Sequence, residues 1–147
     1  MYIEQIEKIH EGESIMRYTI AQAAQKSNLS CYTLRYYDKE GLLPFVERSK
    51  SGYREFSEKD MDWLALIHCL KSTGMPIKQI KEIIELTVEG GETLIQRQQI
   101  FVQHRNDVVQ QIAALQKYLE KIDCKINYCS SAYKAYLEGE TASLNDC

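Results

Sequence analysis

The sequence predicts a mainly α-helical chain: a winged helix-turn-helix module followed by one long coiled-coil helix. Three observations carry this. Two short helical patterns, each opened by a capping hydroxyl, lie on either side of Ser27-Asn28-Leu29. A stretch holding Pro44 and Gly52, with alternating polar and apolar residues, reads as a two-stranded wing. Further on, Leu94, Phe101, Val108, Leu115 and Ile122 recur at intervals of seven, all apolar.

Each element can be justified in order. Residues 1–15 hold four Glu, one Lys and no apolar block, so they are not a secretory signal and read as an appendage. Two readings remain for them: an upstream stretch preceding a native start at Met16, or a frayed acidic tail. Thr19 caps a helix through Ala21, Ala23, Ala24 and Lys26 that stops near Asn28. Ser30 caps a second through Thr33, Leu34, Tyr36 and Tyr37, ended by Gly41. The wing occupies Leu42–Phe56 and turns at Lys50-Ser51-Gly52. Ser57 and Asp60 form a capping-box start for a helix burying Met61, Leu64, Ile67 and Leu70 and stopping at Gly74. Pro76 opens the next helix, where its missing N–H costs nothing, with Ile77, Ile80, Ile83 and Ile84 as its apolar stripe. Gly90-Gly91 then breaks the chain.

These assignments divide the chain into an extension (1–15), a winged module with a helix pair (16–90), a long helix (91–126) and a short tail (127–147). The heptad positions four residues on are Gln98, Arg105, Ile112, Leu119 and Ile126, apolar only in the last three. A strict seven-residue repeat argues for a partner helix, and so for a homodimer through Leu94, Phe101, Val108, Ile112, Leu115, Leu119 and Ile122. The competing reading, a helix folded back on its own module, fits the first two heptads almost as well.

Charge sharpens the division. The 147 residues carry 18 Lys and Arg against 21 Asp and Glu, a net −3 that speaks against nucleic acid when taken whole. Residues 16–81, however, hold 11 basic and 7 acidic side chains, while residues 82–147 hold 6 basic and 10 acidic. A basic module is thus coupled to an acidic one. The longest apolar run is far too short to cross a membrane, and the chain is expected to be cytoplasmic with reduced thiols. Five cysteines, an odd number, fit no complete disulfide framework. No cofactor is expected.

A recognition helix needs polar or aromatic side chains near its N-terminus to reach base edges, and cations to grip phosphates. Ser30, Tyr32, Thr33, Arg35 and Tyr36 supply that mixture, and the wing adds Arg48, Lys50, Tyr53 and Arg54. Singly these are ordinary surface residues; together they point to double-stranded DNA.

The runs Tyr18-Thr19-Ile20, Thr33-Leu34-Arg35-Tyr36-Tyr37-Asp38-Lys39-Glu40-Gly41-Leu42-Leu43 and Gly52-Tyr53-Arg54-Glu55-Phe56 resemble the MerR family of bacterial transcription regulators, over about Met16–Tyr128. The resemblance implies that Arg35 and its neighbouring tyrosine contact DNA, that Tyr53 and Arg54 hold the phosphate backbone, and that Tyr18 belongs with the DNA-contacting set. It implies an antiparallel pairing of the long helices in the dimer. It also implies a mechanism: the dimer sits on an overlong promoter spacer, then bends and untwists it so that RNA polymerase finds both its elements aligned.

The switch is a separate matter. The roughly twenty residues after the heptads leave a metal or a reactive thiol as the expected sensor. Metal-sensing relatives place a cysteine at the start of the long helix, where Glu92–Gln99 has none; Cys124 and Cys129 are the remaining candidate ligands. The phrase from His68 through Cys69 to Pro76 and Ile77 resembles the thiol-sensing branch, which responds to aldehydes and nitrosative stress, and makes Cys69 the sensor thiol. A neighbouring cation such as Lys71 would favour its thiolate, whereas the helix C-terminus would oppose it. Cys31, near the recognition helix, is a lesser candidate whose oxidation would weaken DNA binding. Histidines 10, 68 and 104 form no triad with any cysteine, so a thiol-dependent enzyme is not expected. A purely architectural coiled coil leaves the basic wing unexplained.

Overall fold

The computed structural model describes residues 16–139. It divides into two compact units, which meet in sequence at Leu94 and Ile95. Readings that concern residues 1–15 and 140–147 lie outside the described residues.

Local chemistry sets each helix start in the first unit. Thr19 accepts the Gln22 N–H at 3.2 Å while the Gln22 side chain accepts the Thr19 N–H at 2.9 Å, a reciprocal cap that opens α1 (Ile20–Ser27). Asn28, at φ 54°, ends it in the left-handed region that Asn tolerates best after Gly. Ser30 accepts the Thr33 N–H at 3.0 Å and opens α2 (Cys31–Lys39), which buries Leu34 and Tyr37 on one face. Gly41 follows at φ 77°, where a side chain would be strained.

The wing is short: β1 (Glu47–Arg48) pairs antiparallel with β2 (Arg54–Glu55), Glu47 opposite Glu55 and Arg48 opposite Arg54. A backbone bridge between Tyr18 and Phe56, with N–H to O distances of 2.8 and 2.9 Å, ties the start of the unit to the end of the wing. Ser57 and Asp60 cap one another to start α3 (Glu58–Ser72), and this pairing accounts for the burial of the Asp60 carboxylate. Leu64, Ile67 and Leu70 face the core as expected; Met61 is only half-buried, one turn too near the exposed helix start.

Pro76 stands at the cap of α4 (Ile77–Glu89) rather than inside its first turn, and Ile80, Ile83, Ile84 and Leu86 form the buried stripe. Ile77 is half-buried. Helix α1 packs on α2 and α3, and α3 on α4, around Ala23, Leu34, Leu42, Leu64, Ile67 and Ile83. Each buried Leu or Ile there contributes about 1.5–3 kcal/mol.

In the second unit the long helix α5 (Leu94–Leu137) has 44 residues, none of them buried. It does not end near Ile126, as the sequence suggested, but runs about 16 Å further at 1.5 Å per residue. The physical reason is the absence of any breaker: neither Gly nor Pro occurs before Gly139, at φ 76°. The seven-residue repeat runs on with it, through Cys129 and Tyr136 from Ile122 and through Tyr133 from Ile126. Among the described residues no helix is long and apolar enough to cross a membrane.

Candidate nucleic-acid interface

Burying Leu34 and Tyr37 turns the opposite side of α2 to solvent. Tyr32, at 79% exposure, Arg35 and Lys39 share that outward face at spacings of three and four, flanked by half-buried Thr33 and Tyr36. Ser30 is exposed, but its hydroxyl is occupied: it takes the Thr33 N–H and lies 2.8 Å from the Thr33 hydroxyl. Its first duty is therefore to fix the helix start from which the other side chains project.

The wing presents a second exposed set. Lys50 is exposed beside the turn and Tyr53 is 76% exposed. Arg48 closes the turn by donating to the Gly52 carbonyl at 2.8 Å. Gly52, at φ 84°, lets the strands reverse in so few residues.

Arg54 does something the sequence did not disclose. Its Nε and Nη2 donate to the two carboxylate oxygens of Asp38 at 3.2 and 2.5 Å, and its Nη1 donates to the Val46 carbonyl at 2.8 Å. Both partners are mostly shielded from water, and the forked geometry matches guanidinium to carboxylate. Arg54 thus braces the wing against the recognition helix, with three of its five N–H donors engaged.

Tyr18 stands apart from the exposed set. It is buried, its hydroxyl donates to the Glu58 carboxylate, and the Lys26 ammonium lies 4.8 Å from its ring centroid. The Glu58 hydrogen bond first, and then burial, raise its pKa above the ordinary tyrosine value, with Lys26 pulling the other way. In this arrangement it anchors α1 to α3.

Tyr36 has an unexpected neighbour. The Lys71 ammonium, from the last turn of α3, lies 4.8 Å from the Tyr36 ring centroid and 5.5 Å from that of Tyr37, a cation-over-ring arrangement. Tyr37 is buried, which raises its phenol pKa. Lys71 is therefore directed to the recognition helix rather than to the thiol two residues before it.

Cys69 is an exposed free thiol near the end of α3; its carbonyl accepts from the Thr73 N–H at 3.1 Å and hydroxyl at 2.8 Å. Cys31 is half-buried with its sulfur 4.0 Å from the Ile20 carbonyl. Cys124 and Cys129 fall on one uninterrupted helix, where five residues turn the direction by about 140°. Two ligands so divided do not converge on one ion within a chain. Among the described residues no group of three or more His, Cys, Asp or Glu side chains is placed to hold a metal.

A recognition helix with one buried and one exposed polar face, braced to a basic wing, defines the DNA-reading part of a transcriptional regulator. Residues 18–87 match the family model described as the MerR HTH family regulatory protein, and residues 61–123 match that described as MerR, DNA binding. An uncharacterized HTH-type transcriptional regulator of Haemophilus influenzae is 46% identical over 117 residues, 80% of this chain and 87% of that protein. Among solved structures, HiNmlR, a MerR family regulator lacking the sensor domain and bound to promoter DNA, is 45% identical with a TM-score of 0.76. That match covers 81% of this chain and 94% of the other. A MerR family transcriptional regulator from Bacillus thuringiensis is 43% identical with a TM-score of 0.72, covering 76% and 98%. The chain belongs to the MerR family and is a DNA-binding transcriptional regulator.

Proposed function

We propose that the protein binds promoter DNA as a homodimer and switches transcription when a reactive electrophile, such as an aldehyde or a nitrosating agent, modifies Cys69. The apolar stripe of α5 joins two copies antiparallel, so that two α2 helices enter successive major grooves and the wings lie along the flanking phosphates. Tyr32, Thr33, Arg35 and Tyr36 face the bases and nearby backbone, while Arg48, Lys50 and Tyr53 grip phosphates. Arg54 serves them by holding the wing in register. Bending and untwisting an overlong spacer then aligns both promoter elements for RNA polymerase, at an elastic cost of several kcal/mol drawn from those contacts.

The observation that carries the thiol reading is the place of Cys69. It is exposed to a small electrophile, and it sits in the same final turn of α3 as Lys71, whose charge rests on Tyr36 of the recognition helix. A covalent adduct there alters the turn that supports this contact, and so favours one of two bound forms of the regulator over the other. The promoter-bound relative is itself described as lacking the sensor domain, which supports switching in this family without a separate ligand module. The divergent Cys124 and Cys129 give the metal-sensing alternative no such support.

Replacing Cys69 with Ala is expected to leave operator affinity within about threefold, since the side chain makes no DNA contact in this arrangement. Aldehyde-induced transcription from the target promoter should be abolished. Reporter assays in cells carrying wild-type or Cys69→Ala protein would measure it, and undiminished induction in the variant would remove Cys69 from the mechanism.

A further inference from the structure

The two strands of the wing oppose like charges. Glu47 lies opposite Glu55, and Arg48 lies opposite Arg54. Side chains alternate across a strand, so the carboxylates share one face of the hairpin and the guanidinium groups share the other. Like charges placed directly opposite destabilise a strand pair. On the basic face both cations are engaged: Arg54 is held by Asp38 of α2, and Arg48 donates to the Gly52 carbonyl.

The acidic face draws its relief from a residue that precedes the first helix. Tyr18 bridges to Phe56, the residue after β2, and this brings the neighbouring Arg17 to the foot of the wing. Its Nη2 donates to Glu47 Oε2 at 3.0 Å, across thirty residues of sequence. Among the described residues this is the one ion pair that either wing glutamate makes. The Glu47 side chain is 68% exposed, and a pair so open to water adds little to folding stability. Its charge matters more where the wing meets DNA. A hairpin lying along phosphates carries both carboxylates into a negative field, and an unneutralised one opposes the approach.

We infer that Arg17 is a positioning residue for the wing: by neutralising Glu47 it lets the hairpin hold its register and approach the phosphate backbone, without itself touching a phosphate. The inference deepens the wing-to-phosphate reading proposed above and rests on it.

The test is operator affinity of the full chain, measured over a range of salt concentrations. Arg17→Met should bind about three- to fivefold more weakly than wild type. Adding Glu47→Gln to Arg17→Met removes the carboxylate left behind. That double variant should return to within about twofold of wild-type affinity, with the wild-type salt slope. Adding Asp62→Asn instead, which removes an exposed carboxylate of α3, should leave Arg17→Met as weak as before. A purely structural defect would not be repaired by deleting one chosen charge.

If Arg17 grips a phosphate, Glu47→Gln repairs nothing, and the double variant loses about 0.9 from the slope of log K against log salt. That result would overturn the positioning role. Wild-type affinity in Arg17→Met would overturn it too, as would repair by Asp62→Asn equal to that by Glu47→Gln. Lys50→Met separates the inference from the reading beneath it. Wild-type affinity and salt slope in Lys50→Met would show that the wing does not meet DNA, and both would fall. A weakened Lys50→Met beside a normally binding Arg17→Met would remove Arg17 alone.

Discussion

On the homodimer proposed above, Leu115→Glu together with Ile122→Glu is expected to yield a monomer and to lower operator affinity by about a hundredfold or more. The two residues are 65% and 56% exposed, seven apart on one stripe of a helix that buries none of its residues. A stripe that also holds Phe101, Val108, Ile112, Leu119 and Ile126 is not maintained in water without a cover. Burying each Leu or Ile in a seam contributes about 1.5–3 kcal/mol, enough in sum to hold two copies together. A carboxylate in the proposed seam would lose its hydration without gaining a partner, and the proposed antiparallel symmetry would present the charges twice. Gln110→Glu, on an exposed position outside the repeat, is the matched control. Sedimentation or light scattering would report the mass. A dimer that persists in the double variant would place the dimer contact elsewhere.

Arg54→Met and Lys50→Met should fail in different ways, although both remove one cation from the wing. Arg54 is bonded to both Asp38 oxygens and to the Val46 carbonyl, so its loss leaves a partly buried carboxylate without its partner. The expected cost is about 1.5–3 kcal/mol of folding stability, and operator affinity falls because the wing is no longer braced against α2. Lys50 is exposed at the wing, and its removal should leave the melting temperature unchanged. It should instead weaken binding to every sequence alike and reduce the slope of log K against log salt by about 0.9. Melting curves and binding titrations at several salt concentrations separate the two. Equal stability for both variants would show that Arg54 reaches outward to DNA and does not brace the wing.

The contrast between those residues also shows which features were legible in the sequence. Thr19, Ser30 and Ser57 cap helices because capping is decided within three residues, and Gly41 marks a helix end for an equally local reason. The exposed face of α2 followed from the positions of Leu34 and Tyr37. Arg54 and Asp38 are sixteen residues apart across a turn, and no periodicity announces their pairing. Lys71 is a neighbour of Cys69 along the chain, but residues two apart on a helix point in nearly opposite directions, and its charge goes to Tyr36. Tyr18 reads as a surface aromatic until the bridge to Phe56 buries it. The end of α5 was less legible because beyond Ile126 the repeat continues in Cys129, Tyr133 and Tyr136 rather than in Leu, Ile, Val or Phe.

On the mechanism proposed for Cys69, one bound dimer changes DNA shape when its thiol is modified, without leaving the promoter. Footprinting of the target promoter with wild-type protein, before and after aldehyde, tests it most directly. The predicted result is unchanged protection of both half-sites together with new chemical reactivity at the centre of the spacer, appearing only with aldehyde and absent in Cys69→Ala. Loss of protection on adding aldehyde, with no distorted spacer at any concentration, would contradict the claim and leave a repressor that is simply released.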